Sequence, residues 1–550
     1  MQTRRAIADQ VMAACRAAGT THVFGMPGGG SNLDVAGSAI AHGLDFVLVH
    51  TETAGAIMAA VMGELTGAPG VCVATRGPGA ASAVNGLAMA YVDRQPMVLI
   101  TDCVAEADRP RVSHQRIDQQ ALLGSVSLAS VVLDGRDPSR ASDAVALATG
   151  FPPGPVHLDL DPTATSLAPL PTPTPSRTLD ASALADLLRL VGAAERPVLV
   201  VGAGAAVASP ADRDAIAATL SVIGGTSHVP ILCTYKARGM VADNDPWCAG
   251  VATGATIEAP VLSAADLIIG IGLDPVEFIP AAWPYAAPVV LVGSWAISRD
   301  DYAHAEHLGA EVAAEVVGSL VELTASIGSL LQTSQGSWSV GDGQRFRAEA
   351  LSRLLSATVP SSNGLTPQQV VTIASAAAPR GAIATADAGA HMLVAMPLWE
   401  VDGPEQVLNS SGYATMGFAL PAAIAAALAR PGTPVVCFTG DGGLGIVLGE
   451  LETLARLGLP VVVVVFNDAT LSLIAVKQNA EGHGGEGAVT YGGSDFAVVA
   501  RGCGLAAERV DTVADYDRAI RAALASGAPT LLDVVVDPSS YPAILNAVRG

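Results

Sequence analysis

The chain has 550 residues, with 29 lysines and arginines against 51 aspartates and glutamates, a net charge of −22, and 50% hydrophobic but only 4% aromatic residues. At roughly 150 residues per domain this length accommodates about three to four domains, each with its own core. The acidic balance opposes the phosphate neutralisation on which nucleic-acid affinity rests, and equally opposes binding to anionic membranes.

In chain order, a strand at 45–49 ends at Thr51-Glu52 and leads into a helix at 53–66. Apolar Val/Ile/Leu runs follow at 71–74, 97–101, 156–160, 198–201, 267–271, 289–292, 435–438 and 461–466, separated by Ala-rich segments of helical spacing. Near-continuous apolar strands alternating with helices predict parallel sheets covered on both faces, an α/β fold. Residues 161–182, with Pro162, Pro169, Pro171, Pro173 and Pro175 among threonines, and the Ser/Gly/Gln-rich 332–344 read as extended, solvated linkers that leave three blocks. Cys15, Cys72, Cys103, Cys233, Cys248, Cys437 and Cys503 are scattered without a C-x-x-C pair, so neither a disulfide framework nor a zinc site is expected. No apolar run is long enough to span a bilayer, and no signal-peptide pattern follows Arg4 and Arg5, so a soluble cytoplasmic protein is expected.

The strongest local signal is Gly440-Asp441-Gly442-Gly443-Leu444-Gly445, a glycine-rich turn between the strand at 435–438 and a helical stretch at 446–457. Such a turn presents backbone N–H groups to a phosphate, and Asp441 offers a hard oxygen for Mg²⁺ bridging a diphosphate. A second Gly-Asp-Gly at 341–343 lies in a linker with no preceding strand and reads as a plain turn. After the strand at 461–466 comes Asn467-Asp468-Ala469-Thr470; Asp468, 27 residues beyond Asp441, is expected at the same carboxyl edge of the sheet, where open α/β folds bind ligands. This order and spacing resemble the signature of thiamine diphosphate (ThDP) enzymes. The resemblance implies that Asp441, Asp468 and the main-chain oxygen of Thr470 hold Mg²⁺, with Gly440, Gly442 and Gly443 at the diphosphate. The family more often has Asn-Asn where this chain has Asn467-Asp468, so a more negative metal site is expected.

In the first block Glu52 alone reads as an acid at a helix N-terminus, favoured there by the dipole. It heads the run Glu52-x-x-Gly55-Ala56-x-Met58-Ala59, followed by Thr75-Arg76-Gly77-Pro78-Gly79-Ala80 and Asn85-Gly86-Leu87-Ala88-x-Ala90-Tyr91-x-Asp93-Arg94-x-Pro96. The whole resembles the pyrimidine-binding domain of acetolactate synthase and its decarboxylase relatives, whose glutamate at this position hydrogen-bonds N1′ of the cofactor. In the third block Gly412-Tyr413-Ala414-Thr415-Met416-Gly417-Phe418-Ala419-Leu420-Pro421 is similar to the same family. By that likeness Met416 wedges the cofactor into its bent form and the Ala414 carbonyl receives the 4′-amino group.

The resemblance implies three doubly wound parallel-sheet domains: pyrimidine-binding (1–165), central Rossmann-like (183–331) and diphosphate- and Mg²⁺-binding (345–550). It implies a decarboxylase or carboligase of 2-oxo acids, in which the cofactor ylid adds to the acid, CO₂ leaves and an enamine remains. A benzoylformate-type decarboxylase, a 2-hydroxyacyl-CoA lyase and a catalytically silent ThDP-binding subunit are the alternatives. Because Glu52 and Asp441 lie in different blocks, the family pattern predicts a homodimer or homotetramer with active sites at subunit interfaces.

Around the substrate the sequence is less specific. Gly28-Gly29-Gly30 leaves mostly backbone where some relatives place a reactive side chain, and Ser31 reads as a helix N-cap. Gln115 and His114 stand where many synthases have Phe-Gln, and His114 could relay protons near neutral pH. Arg76 replaces the small residue usual in synthases and reads either as an anchor for the substrate carboxylate or as the partner of a surface acid. A helix at 471–478 should wall the pocket with Leu473 and Ile474, with Lys477, one of only two lysines beside Lys236, at the rim. His391 is assigned equally to pocket or structure. In the middle block Gly202-Ala203-Gly204 is a weak nucleotide signal, and Val290-Leu291-Val292-Gly293-Ser294 lacks the acidic strand end of FAD-binding synthases, which argues against FAD.

Overall fold

The computed structural model describes residues 3–171, 180–278, 283–297, 312–333, 336–361 and 363–550. Its strands gather into three parallel six-stranded sheets flanked by helices. The first contains β1 (His22–Gly25), β2 (Asp45–Leu48), β3 (Gly70–Ala74), β4 (Met97–Thr101), β5 (Ala129–Leu133) and β6 (Pro155–Leu160), in the order β2-β1-β3-β4-β6-β5. The second contains β7 (Pro197–Val201), β8 (Ile231–Thr234), β9 (Cys248–Ala252), β10 (Leu267–Ile271), β11 (Val289–Gly293) and β12 (Val312–Val317), in the order β12-β11-β10-β7-β8-β9. The third contains β13 (Ile383–Ala386), β14 (Val407–Asn409), β15 (Val435–Gly440), β16 (Val461–Asn467), β17 (Ala506–Val510) and β18 (Thr530–Val535), in the order β14-β13-β15-β16-β18-β17. First and third sheets therefore share one strand order. Central strands such as β3, β4 and β16 are buried at every residue, which is why they read as unbroken apolar runs.

The chain forms two compact units. One consists of the first block together with residues 420–431 and 447–457; the other holds the second and third sheets. In the first unit helix Glu52–Thr66 lies on the sheet with almost no side chain between them. A Cβ at Gly70 would stand 1.8 Å from the Ala59 carbonyl oxygen, and one at Gly63 would stand 2.0 Å from that of Pro96. The helix is capped by Thr51, whose Oγ1 accepts from the Ala54 N–H, so helix starts at Glu52 itself, one residue before the sequence expectation. In the second unit Trp399, Phe438, Phe466 and His391 pack ring to ring under the carboxyl edge of the third sheet.

Three expectations are corrected. Residues 336–344 are not a solvated linker: Trp338 is buried, donates to the Pro197 carbonyl at 2.7 Å, and packs edge-on against Phe346. Gly341-Asp-Gly343 is a helix start, with Gly341 at a φ of +87° before helix Asp342–Ser356. The helix expected at 446–457 covers only Glu450–Leu457, and a separate short helix, Asp441–Ile446, begins within the segment expected to be a glycine-rich turn. At the other proposed linker Asp161 is buried and its carboxylate accepts from the Glu106 and Thr163 N–H groups, while Pro173 and Pro175 lie outside the described residues. All seven cysteines are free, and no described helix is long and apolar enough to cross a membrane.

The close seat of helix Glu52–Thr66 on β3 depends on Gly70. Gly70→Ala is expected to lower the unfolding free energy by about 1–3 kcal/mol through overpacking against the Ala59 carbonyl, read as a lower urea midpoint at unchanged slope.

Candidate active site

The third sheet reverses direction of winding between β13 and β15, so the loops leaving those strands open a crevice at the carboxyl edge. β15 delivers Asp441, and β16 delivers Asp468. Asp441 is buried, and its carboxylate accepts from the N–H groups of Gly442 (2.7 Å), Ala469 (2.7 Å) and Asp468 (3.2 Å) and from the Tyr491 hydroxyl. Asp468 accepts from the Thr470 N–H at 3.0 Å and the Ser472 hydroxyl at 2.5 Å. Burial raises both carboxyls, Asp468 to about 7, and the Asp441 charge adds to the rise of Asp468. Two acids pressed together in a poorly solvated place suit a hard divalent cation, whose charge would offset both. Ala469 between them has a φ of +56°, a strained turn held by these hydrogen bonds.

A cavity of about 320 Å³ opens beside this pair, lined among others by Met416, Leu473, Ile474 and His391. Ala414, at its mouth, is another non-glycine residue in the left-handed region, at a φ of +53°. His391 is buried and burial lowers its ring to about 4, so it is neutral, and its Nε2 has no partner among the described residues. A buried unpaired imidazole nitrogen in the cavity wall is what a phosphorylated ligand would satisfy. Gly443 sits so close to Asp387 that a Cβ would stand 2.3 Å from its Oδ2, and a Cβ at Gly442 would stand 2.9 Å from Leu471 Cδ2. The glycine turn thus leaves backbone alone at the cavity wall, as a diphosphate requires. Lys477 is exposed at the rim, whereas Lys236 is buried in the loop after β8.

Asp387 was not singled out from the sequence, yet it organises this wall. Fully buried, it accepts from the N–H groups of Ala388, Gly417 and Phe418 and from the Thr439 hydroxyl, and burial pushes it up to about 6. It therefore fixes the turn after Met416 against the end of β15.

In the first unit the loops leaving β1 and β3 flank the corresponding switch point. Glu52 opens its helix half-buried, and a Cβ at Gly79 would stand 2.9 Å from its Oε1. The preceding turn is clamped by Glu450, which the sequence reading also missed. Wholly buried, Glu450 accepts from the His50 and Thr51 N–H groups at 2.9 and 3.2 Å and from the Thr453 hydroxyl at 2.7 Å. Ser31 does not cap its helix: Gly30 takes that place, and the Ser31 hydroxyl donates to Asp102 at 2.6 Å. Arg76 pairs with this Asp102, a buried acid and not a surface one. Gly29, His114 and Gln115 are exposed, with Gln115 at a φ of +56°; the neighbouring Gln119 is buried and donates to Thr101, Asp102 and Asp159.

In the second sheet the order reverses between β7 and β10, and that crevice is filled from within. The Gly204 N–H donates to the Gly272 carbonyl at 2.7 Å, and the Glu277 carboxylate accepts from the Ala203 N–H at 2.7 Å and from the Thr234 hydroxyl. A side-chain carboxylate holds the position that a dinucleotide phosphate occupies at a glycine-rich turn, so the described residues do not fit FAD there.

With this geometry in place, the chain can be set beside known proteins. The thiamine pyrophosphate enzyme N-terminal TPP binding domain matches residues 5–122, and the C-terminal TPP binding domain matches residues 387–534. The chain belongs to the thiamine pyrophosphate enzymes. It is 27% identical to the acetolactate synthase of Bacillus subtilis, over 95% of this chain and 91% of that protein. It is 29% identical to the acetolactate synthase large subunit of Parasynechococcus marenigrum, over 98% and 89%. A Rhodococcus jostii ThDP-dependent 4-hydroxybenzoylformate decarboxylase shares the fold at a TM-score of 0.79 and 22% identity, over 96% of this chain and 99% of that one. The protein is accordingly a ThDP-dependent enzyme of the acetolactate synthase family.

Two measurements check the supporting acids. Glu450→Ala, which strands two backbone donors, should cost about 1–3 kcal/mol of stability, with Glu450→Gln less affected; equal losses would show that the acceptor oxygen is not the cause. Desolvation pushes Glu277 up to about 8 from 4.5. The folded state then holds its proton longer than the unfolded chain, so this contribution is greatest below pH 4.5 and is lost as pH rises to about 8. The urea midpoint should fall between pH 5 and 8.5, and fall less in Glu277→Gln.

Proposed function

We propose that the protein is a Mg²⁺-dependent decarboxylase or carboligase of 2-oxo acids. The observation that carries this reading is the buried Asp441–Asp468 pair beside a cavity whose wall presents bare glycine backbone and the unpaired Nε2 of His391. Asp441, Asp468 and the Thr470 carbonyl would hold the metal. Met416, Leu473 and Ile474 supply apolar walls, and the Asp387 hub keeps the Met416 turn rigid.

When bound, ThDP supplies a carbon nucleophile that makes loss of CO₂ from a 2-oxo acid feasible. Glu52 holds and returns a proton at N1′ of the aminopyrimidine, and Thr51 with Glu450 fixes the turn that presents it. The apolar walls exclude water, while His114 and Gln115 are available at an exposed loop for proton transfer and orientation. Glu52 of one subunit and the Asp441 centre of another serve one cofactor, which makes a homodimer the smallest active assembly and a homotetramer its doubled form, in a cytoplasmic setting.

The test is proton NMR of the protein with ThDP, Mg²⁺ and a panel of 2-oxo acids including pyruvate and benzoylformate. A 2-hydroxyketone establishes carboligation and an aldehyde establishes simple decarboxylation; consumption of no acid by the cofactor-loaded protein overturns the reading. Glu52→Gln should keep ThDP-dependent thermal stabilisation while losing turnover by about 10²-fold or more.

A further inference from the structure

The first unit contains a second cavity, about 360 Å³, whose chemistry is opposite to that of the Asp441 centre. Arg76, Arg109 and Arg116 all line it, in a chain that carries only 29 basic residues and a net charge of −22. Its acids are Asp118, whose carboxylate caps a helix by accepting from the Ala121 N–H, and Asp159. Asp159 is buried beneath Thr101 and Gln119, and burial lifts it to about 7, so near neutrality it carries only part of its charge. The cavity is therefore cationic on balance.

Arg76 is the arginine built into its wall. Its side chain is 25% exposed, and its Nη1 stands 3.5 Å from Oδ2 of Asp102, which is itself 1% exposed. This pairing leaves Arg76 unsaturated: its Nε is buried without a partner among the described residues. Asp102 does not depend on Arg76 alone, because it accepts from the Ser31 hydroxyl at 2.6 Å and has Arg4 at 3.8 Å. The guanidinium is thus held in place by one acid and retains planar donors for another, the geometry that suits a carboxylate.

The same turn also approaches Glu52. A Cβ at Gly77 would stand 2.6 Å from the Gln115 carbonyl oxygen, and one at Gly79 would stand 2.9 Å from Glu52 Oε1. Arg76, Gln115 and Glu52 consequently surround one four-residue turn, with the arginine on its cavity side. We propose that Arg76 anchors the carboxylate of the substrate, an acid small enough for a cavity of this size, and so sets the enzyme's preference for acids over neutral carbonyl compounds. This assignment deepens the function proposed above and rests on it for the identity of the acid.

The experiment uses the full chain loaded with ThDP and Mg²⁺, with Arg76→Ser and Arg76→Lys beside the unchanged protein. Two readouts separate the assignment from the wider function. The first is steady-state kinetics on whichever 2-oxo acids are consumed. Arg76→Ser should raise KM by about 10- to 100-fold, the loss expected for one charge-assisted pair, with kcat less affected and Arg76→Lys in between. The second needs no turnover: saturation-transfer NMR with lactate and mandelate, which keep the carboxylate but lack the 2-oxo group, and with their methyl esters. The acids should bind and the esters should not, and Arg76→Ser should abolish the difference while Arg76→Lys, folded to the same thermal midpoint, retains part of it. Acids and esters binding the unchanged protein alike, or KM and acid binding within about twofold in Arg76→Ser, would overturn the assignment. Absence of turnover with acid binding still dependent on Arg76 would overturn the 2-oxo acid reaction and leave the anchor standing.

Discussion

Four hydrogen bonds converge on the Asp441 carboxylate, and they tie the end of β15 to the turn that follows β16 and to the segment bearing Tyr491. Because Asp468 lies in that turn, fastening Asp441 also brings a second carboxylate into the same poorly solvated place. Water would ordinarily screen such a pair; here burial raises both acids, and each backbone donor is already spent on one of them. A divalent cation would relieve the repulsion. The strained Ala469 backbone is the local cost of bringing the acids together.

Loops that bind ligands cannot be rigid through their own secondary structure, and this chain stiffens them with buried acids that touch no ligand. Asp387 does so for the Met416 turn, Glu450 for the approach to Glu52, and Glu277 for the central turn. In each case a carboxylate accepts backbone N–H groups that would otherwise be orphaned at the carboxyl edge of a sheet. Removing one acid therefore strands several donors at once, and the effect is transmitted to the neighbouring functional residue without contact with it.

Much of the fold was legible because parallel strands buried on both faces read as unbroken Val/Ile/Leu runs, as in β3, β4 and β16. That Asp441, Asp468 and Met416 would face one crevice was legible because each sits in a short run whose spacing is local. Asp387, Glu450 and Gln119 were not, since their partners are distant in sequence: Glu450 clamps residues 399 and 400 positions away. Composition misled at 336–344, where Ser and Gly suggested solvent but one buried tryptophan anchors the segment to the central sheet. Ser31 was misread because the helix start looks like a cap in one dimension, while only the fold brings Asp102 within reach of its hydroxyl.

The first and third sheets share a strand order, and each places its candidate functional loops at the same topological position, yet the first sheet adds an arginine there where the third has only acids and a histidine. In the third sheet the loops after β13 and β15 carry Asp387 and Asp441, with Asp468 joining from β16, and a neutral histidine; such a surface would suit a cation and, through it, a diphosphate. In the first sheet the loop after β3 carries Arg76, paired with the buried Asp102, beside a glycine-lined turn that packs against Glu52. One topology thus supplies two recognition surfaces whose difference lies in a handful of side chains at strand ends. A metal-bound diphosphate and a carboxylate differ in the charge they demand of the protein, so placing their sites on two sheets, as proposed above, would let each be recognised without the other's acids or arginines weakening it. On the proposed reading, that separation would let a chain with a net charge of −22 accept an anionic substrate: charges more than about 10 Å apart are largely screened, whereas three arginines are gathered at one cavity.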